Sequence, residues 1–172
     1  MLETLTHDRA ESVRAAVKRV ALRQLEQGGP GAVAINAIAR ELGVSGPALY
    51  RYFKNRDALL TALVLDAYND LADALEGPES VAALARAYRA WALAQPHRYR
   101  LLFSAPLPGY DAHQASLVAA AGRSMDILRR LVDEERAVIL WSRLHGHVSL
   151  EIEGNFASMR LDPEKLFEAV IA

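Results

Sequence analysis

The sequence predicts an all-α fold of about nine helices, and three observations support that prediction. Apolar residues recur every three or four positions along most of the chain, as they do on the buried side of a helix. Alternation of apolar and polar residues, which is typical of strands, is nearly absent. Gly and Pro interrupt the periodic segments at helix-length intervals, for example at 28–30 and 77–78. We therefore expect helices joined by short loops and no sheet.

The first 56 residues read as three helices. Apolar residues recur at helical spacing from 13 to 25, and Gly28-Gly29-Pro30 should end that helix. A second helix is predicted over 35–42, followed by Gly43, which can adopt the positive φ of a tight turn. Two short helices around such a turn are typical of a helix-turn-helix.

The third helix has its own start signals and a clear buried side. Ser45 stands where a side chain can cap the helix, and Pro47 lies in the first turn, where a missing N–H costs nothing. Leu49 and Phe53 are one turn apart and should face the core.

The remaining residues read as six further helices. Gly77-Pro78, Pro96 and the capping Asp162 supply the main stops and starts. The predicted helices are 57–75, 79–95, 97–104, 112–134, 135–158 and a last one beginning at 162.

Composition and charge narrow the class of protein. Of 172 residues, 52% are hydrophobic and none is cysteine, which indicates a globular core and excludes thiolate metal sites. No apolar run reaches the roughly 18 residues of a membrane span, and residues 1–9 lack the apolar segment of a signal peptide. We expect a cytoplasmic protein without a membrane partner.

The charge is unevenly distributed along the chain. Residues 1–56 contain nine Lys or Arg and five Asp or Glu, a net charge of +4, whereas residues 57–172 have a net charge of −5. A basic front segment joined to an acidic body predicts two domains, 1–56 and 57–172, of which the first faces DNA.

A helical wheel predicts the side of the third helix that meets DNA. Pro47, Ala48 and Arg51 fall opposite the buried side, where small residues can contact thymine methyls and Arg51 can pair with guanine. Flanking Tyr and basic side chains are placed for phosphates, and Asn36 can reach a base edge or a phosphate. The candidate DNA-binding residues are Asn36, Ser45, Gly46, Pro47, Ala48, Tyr50, Arg51, Tyr52, Lys54 and Arg56.

A structural alternative stays open at this point. Helix-turn-helix shapes also serve as plain corners, and tyrosines at helical spacing are often core residues. The chain could then be a ligand-binding or protein-interaction module whose helix-turn-helix no longer reads DNA.

The same segment resembles the DNA-binding domain of the TetR family of bacterial transcriptional regulators. The resemblance covers about residues 8–60 and rests on Ile38-Ala39, Leu42-Gly43-Val44-Ser45, Leu49-Tyr50-Arg51-Tyr52-Phe53 and Asn55-Arg56-Asp57-Ala58-Leu59-Leu60. It implies a regulator, most often a repressor, that binds a near-palindromic double-stranded DNA operator as a homodimer. The family usually has Ser or Thr at the position of Ala34, His at Tyr52 and Lys at Arg56, and Gly46 removes a side chain from a frequent contact position.

Two later segments resemble a C-terminal domain of that family marked by Trp, His and Gly. They are residues 95–103 and 141–151. The resemblance implies a helical body that binds a ligand and dimerises, for which we expect a small apolar or aromatic effector. Trp141 and His145 share one helix face with Val148 and Ile152, which lines either a cavity or a plain core. The candidate ligand-binding residues are Tyr88, Trp91, Tyr99, Phe103, Tyr110, Met125, Trp141 and His145.

The predicted last long helix also suggests a dimer contact and one weak metal alternative. Leu140, Leu144 and His147 form a candidate dimer seam, and Gly146 in mid-helix suggests a close neighbouring helix. His147 and Glu151 are four apart, but a catalytic zinc requires three protein ligands. No hydrolase elbow or phosphate-binding Gly loop is present in the sequence. We expect no enzyme, no cofactor and no metal site.

Overall fold

The computed structural model describes residues 2–103, 110–111 and 113–172, with side chains from residue 10 onward. Across these residues the chain is helical, and no strand occurs in them. The all-α prediction is confirmed. The helices are α1 (Leu2–Gly28), α2 (Ile35–Glu41), α3 (Gly46–Tyr50), α4 (Arg56–Leu75), α5 (Val81–Ala94), α6 (Pro96–Phe103), α7 (Ala115–Arg129), α8 (Glu134–Ile152), α9 (Asn155–Ser158) and α10 (Pro163–Ile171).

The helix-turn-helix forms where the sequence predicts it. A 3₁₀ turn, Pro30–Ala32, follows α1, and Gly29 there has a φ of 69°. The N–H of Val44 donates to the Ala39 carbonyl, and the N–H of Gly43 donates to the Arg40 carbonyl. Gly43, at a φ of 66°, therefore closes α2 in a Schellman motif, which a residue with a β-carbon would adopt only with strain.

Capping at the start of α3 differs from the prediction. Ser45 is the N-cap residue, but its side chain makes no capping hydrogen bond. Ala34, the N-cap of α2, cannot make one, and its own N–H donates to the Oε1 of Gln24 on α1 at 3.0 Å. The two short helices are held mainly by packing, because Ile38, Leu49 and Phe53 are buried.

The later helices start at polar capping residues, of which the sequence predicted only Asp162. Ser80, Asp133 and Asp162 each accept a hydrogen bond from a backbone N–H in the first turn of α5, α8 and α10. Asn55 does the same for α4, with its Oδ1 2.8 Å from the N of Ala58, so α4 begins one residue before the predicted Asp57. The two predicted long helices are shorter than expected, because residues 130–133 form a turn and the second helix breaks at Gly154.

Two compact units divide the chain. The first comprises Met1–Asp66 with Leu101–Ala112, and the second comprises Ala67–Arg100 with His113–Ala172. One boundary between the two units falls inside α4. No helix in the described part of the chain is long and apolar enough to cross a membrane.

Candidate nucleic-acid interface and effector site

Helix α3 presents a small outward surface because two large side chains anchor its other side. Leu49 is 1% exposed and Phe53 is 4% exposed, and the guanidinium of Arg14 lies 5.3 Å from the centre of the Phe53 ring. Pro47 and Arg51 are exposed on the opposite side, and Ala48 is half-buried. This arrangement leaves room for a duplex to approach the first turn of α3.

Polar and basic residues surround that outward surface. Ser45 and Tyr50 are exposed, whereas Tyr52 is half-buried. Arg51 and Lys54 are exposed, and among the described residues neither has an acidic partner. Free cations of this kind are available to phosphates or to base edges.

Arg56 makes a contact that the sequence did not predict. Its guanidinium Nη2 donates to the carbonyl of Pro30, and its Nε is buried without a hydrogen-bond partner in the described structure. The side chain therefore fastens the turn after α1 to the start of α4. Because a guanidinium carries five N–H donors, this contact is compatible with the predicted phosphate contact.

One basic residue was missed by the sequence analysis. Arg40 lies on α2 one turn after Asn36, and both side chains are exposed. Arg40 has no ion pair within the described chain, unlike Arg23, which pairs with Glu41. The signal that could have found it is the i, i+4 spacing from Asn36 on the side of α2 opposite Ile38.

Four of the eight predicted ligand residues lie together in the second unit. The hydroxyl of Tyr99 lies 2.7 Å from Nδ1 of His145 and donates to the His145 carbonyl at 3.1 Å. The Trp141 ring stacks on the His145 ring with centroids 5.8 Å apart, and the Tyr88 ring meets Tyr99 edge-on at 6.3 Å. We call these four residues the aromatic cluster.

Burial keeps the aromatic cluster uncharged near neutral pH. It raises the pKa of Tyr99 to about 12 and raises the pKa of Tyr88 further. Loss of hydration lowers the pKa of His145. A side-chain hydrogen bond with Tyr99 adds to the raised pKa of Tyr88. Hydroxyl groups among aromatic rings suit a ligand that has both apolar and hydrogen-bonding groups.

The other four predicted ligand residues have different surroundings. The indole Nε1 of Trp91 donates to Oδ2 of Asp70 at 3.0 Å. The Tyr110 hydroxyl lies 3.1 Å from Oγ1 of Thr61, and both residues belong to the first unit, as does the half-buried Phe103. Met125 is half-buried on α7.

A second buried polar group lies among α5, α8 and α10. Arg89 binds both carboxylate oxygens of Glu151, at 2.8 and 2.7 Å, and it also pairs with Glu164. His147 is buried beside this ion pair, with Nε2 3.6 Å from Oε2 of Glu151. Arg89 thus neutralises the carboxylate that the metal alternative requires. Among the described residues, no group of three possible ligands could hold a metal ion.

The environment of His147 lowers its pKa. Burial is the largest cause, the positive charge of Arg89 adds to it, and Glu151 opposes it. Hydrogen bonding to Glu151 raises the pKa of Arg89, which stays charged.

The candidate dimer seam on α8 is wrong in two of its residues. Leu144 is 3% exposed and His147 is 6% exposed, so both pack inside their own chain. The apolar side chains that α8 leaves exposed are Val138, Ile139, Trp141 and Leu150. Gly146 lies on the exposed side, and no atom of the described chain would contact a β-carbon there.

Both parts of the chain match known protein families. Residues 19–63 match the sequence model described as bacterial regulatory proteins, tetR family. Residues 81–172 match the model described as tetracyclin repressor-like, C-terminal domain.

Named relatives and solved structures agree with these matches. The HTH-type transcriptional regulator Mb1846 of Mycobacterium bovis is 32% identical, over 94% of this chain and 90% of the relative. HTH-type transcriptional regulator Rv1816 of Mycobacterium tuberculosis has the same identity and coverage. The crystal structure of a regulatory protein, SCO4313, is 37% identical with a TM-score of 0.89 and covers 96% of both chains. A protein of unknown function from Rhodococcus sp. RHA1 is 27% identical with a TM-score of 0.77, over 92% of this chain and 91% of that chain.

Proposed function

Because this chain belongs to the TetR family of bacterial transcriptional regulators, we propose that it is a cytoplasmic, non-enzymatic repressor that releases its operator when an effector binds. The observation that best supports recognition of a DNA sequence is that α3 has an exposed outward surface. There Pro47 and Ala48 leave space at the first turn, while Arg51 extends outward without an acidic partner among the described residues.

We assign different roles to the residues around α3. Pro47, Ala48 and Arg51 face base edges, whereas Tyr50, Tyr52 and Lys54 face phosphates, which fix register and carry no sequence information. We add Arg40 to the residues that contact phosphates, because its side chain is exposed and has no ion pair within the described chain. Arg56 is assigned to holding the turn at Pro30.

We propose that the protein binds its operator as a homodimer through the exposed side of α8. Ile139 and Leu150 supply apolar contact area there, and Ser142 and Gly146 are small enough to let a second helix approach closely. Two recognition helices on a twofold axis would read half-sites about 34–36 Å apart, so the operator should be nearly palindromic.

We propose the aromatic cluster as the effector site. Stacked rings at Trp141 and His145 offer a flat apolar contact, and Tyr88 and Tyr99 place two hydroxyl groups in the same cluster. These features favour a small aromatic or apolar molecule with one polar group. An effector that binds the free form better than the DNA-bound form shifts the equilibrium only by that difference, typically about 1–3 kcal/mol.

A gel-shift titration tests the proposed regulator directly. The probe is the duplex upstream of the chain's own coding region, with unrelated duplex of equal length as competitor. We expect a complex that survives the competitor in wild type and is weakened in Arg51→Ala. Equal binding to both duplexes would favour the alternative in which the helix-turn-helix no longer reads DNA.

A further inference from the structure

Gly46 is placed against a side chain of the neighbouring helix. A β-carbon added to Gly46 would lie 3.2 Å from the side-chain oxygen of Asn36, a tight contact that the Asn36 side chain could relieve only by shifting by a few tenths of an ångström. The backbone does not require glycine here, because Gly46 is helical and does not have the positive φ of Gly43. Glycine is also the poorest helix former after proline. The contact that a β-carbon at this position would change is therefore the one with Asn36.

The amide of Asn36 supplies hydrogen-bonding capacity that the outward surface of α3 lacks. The side chains at Gly46, Pro47 and Ala48 contain no donor or acceptor. Asn36 is exposed on α2 beside them and makes no hydrogen bond to the described chain. Its carbonyl oxygen and NH₂ group are thus free for a ligand that approaches the first turn of α3.

We infer that Asn36 is a specificity-determining residue whose placement depends on the missing side chain at Gly46. An Asn amide can pair with both N6 and N7 of adenine in the major groove. The structure thus assigns an adenine preference at one base pair of each half-site to α2, while Arg51 on α3 reads another base pair. This inference rests on the proposed DNA-reading function.

Selection from a duplex library randomised over about two helical turns provides the test. Wild type, Asn36→Ala, Gly46→Ala and the double variant are compared by the sequences they enrich. Affinities are then measured on the wild-type consensus and its single-base variants. We expect that Asn36→Ala prefers the consensus base at one A·T pair about 5- to 150-fold less strongly than the wild type does. Its preferences at the other positions of the motif should be unchanged.

The Gly46 variant separates steric coupling from a general loss of binding. Gly46→Ala should reduce discrimination at the same base pair while its thermal unfolding temperature is unchanged or higher, because Ala favours the helix. The double variant should discriminate no worse than Asn36→Ala. Gly122→Ala is the matched control, because a β-carbon there would contact nothing in the described chain.

Two failures are distinguishable. If the wild type enriches no sequence, the proposed function fails and this inference fails with it. If the wild type enriches a motif, the inference alone is overturned when Asn36→Ala weakens all sequences equally, as a phosphate contact would. It is also overturned when Gly46→Ala discriminates like the wild type.

Discussion

Arg51 and Lys54 differ in what their positions predict, although both are exposed cations without an acidic partner in the described chain. Arg51 lies on the outward side of α3, opposite Leu49, where a guanidinium can pair with one guanine. Lys54 follows the helix and suits a phosphate. The two substitutions should therefore affect sequence preference and salt dependence differently.

We predict that Arg51→Ala costs about 1–3 kcal/mol of binding and relaxes preference at one base pair. Lys54→Ala should weaken all duplexes about equally and make binding less dependent on salt concentration. Fluorescence anisotropy on consensus and single-base variants, at several salt concentrations, measures both. An unchanged preference in Arg51→Ala would show that the outward side of α3 is assigned wrongly.

The buried histidines predict how stability depends on pH. The pKa values of His145 and His147 are lowered by burial, so the unfolded chain binds these protons more readily than the folded one. Both histidines contribute fully to the free energy of unfolding above about pH 6.5, their pKa in the unfolded chain. This contribution is lost as pH falls through their lower pKa values in the folded chain. We expect the free energy of unfolding to decrease as pH falls below about 6.5.

Urea unfolding at a series of pH values measures this effect. The His145→Gln and His147→Gln double variant should show a flatter dependence than the wild type over the same range. His97→Gln serves as the control, because His97 is only half-buried. If the free energy of unfolding of the double variant depends on pH as strongly as that of the wild type, groups other than these two histidines cause the effect. The lowered pKa values of Glu134 and Glu168 act separately, below about pH 4.5.

At the scale of the elements, α2 lacks a side-chain cap, and this defect can be repaired. Ala34 at the N-cap is exposed and cannot accept a hydrogen bond from the first turn. We predict that Ala34→Ser raises the free energy of unfolding by about 1 kcal/mol. Thermal or urea unfolding checks the change, with Ala90→Ser as the control on the exposed side of α5. Equal effects at both positions would contradict the capping explanation.

The sequence was sufficient to predict elements whose signals are local. Periodicity, Gly43 and the capping Asp162 located the helix-turn-helix and the start of α10 because each acts within one or two turns. The contacts that the sequence missed join distant positions. Gln24 and Ala34 are 10 apart, Arg56 and Pro30 are 26 apart, and Arg89 and Glu151 are 62 apart.

The candidate site shows the same difference between local signals, which the sequence reveals, and contacts between distant residues, which it does not. The outward surface of α3 could be predicted because a helical wheel needs only the spacing of Leu49 and Phe53. Which aromatic residues of the body meet could not, since Tyr99 and His145 are 46 apart in the chain. The same limit applied to the contact between Arg56 and the carbonyl of Pro30, which are 26 residues apart in the chain.

At the scale of the whole molecule, α4 contributes polar contacts to both compact units. Asp66 pairs with Lys18 at 2.7 Å inside the first unit. One turn later, Asp70 accepts hydrogen bonds from Trp91, Gln95 and Arg98 inside the second. α4 thus contributes one carboxylate to the polar contacts of each unit.

Dimerisation is the property on which operator reading depends most, because one α3 reaches only one half-site. We predict that Ile139→Glu places a charge in the α8 contact and converts the dimer to a monomer, as light scattering after gel filtration would show. Leu93→Glu is the matched control, since Leu93 is an exposed apolar residue on α5.

The monomeric variant should also lose affinity for the full operator, while its affinity for an isolated half-site should match that of the wild type. A variant that remains dimeric, or a monomer that binds the full operator as tightly as the wild type, would exclude the α8 surface as the basis of paired half-site recognition.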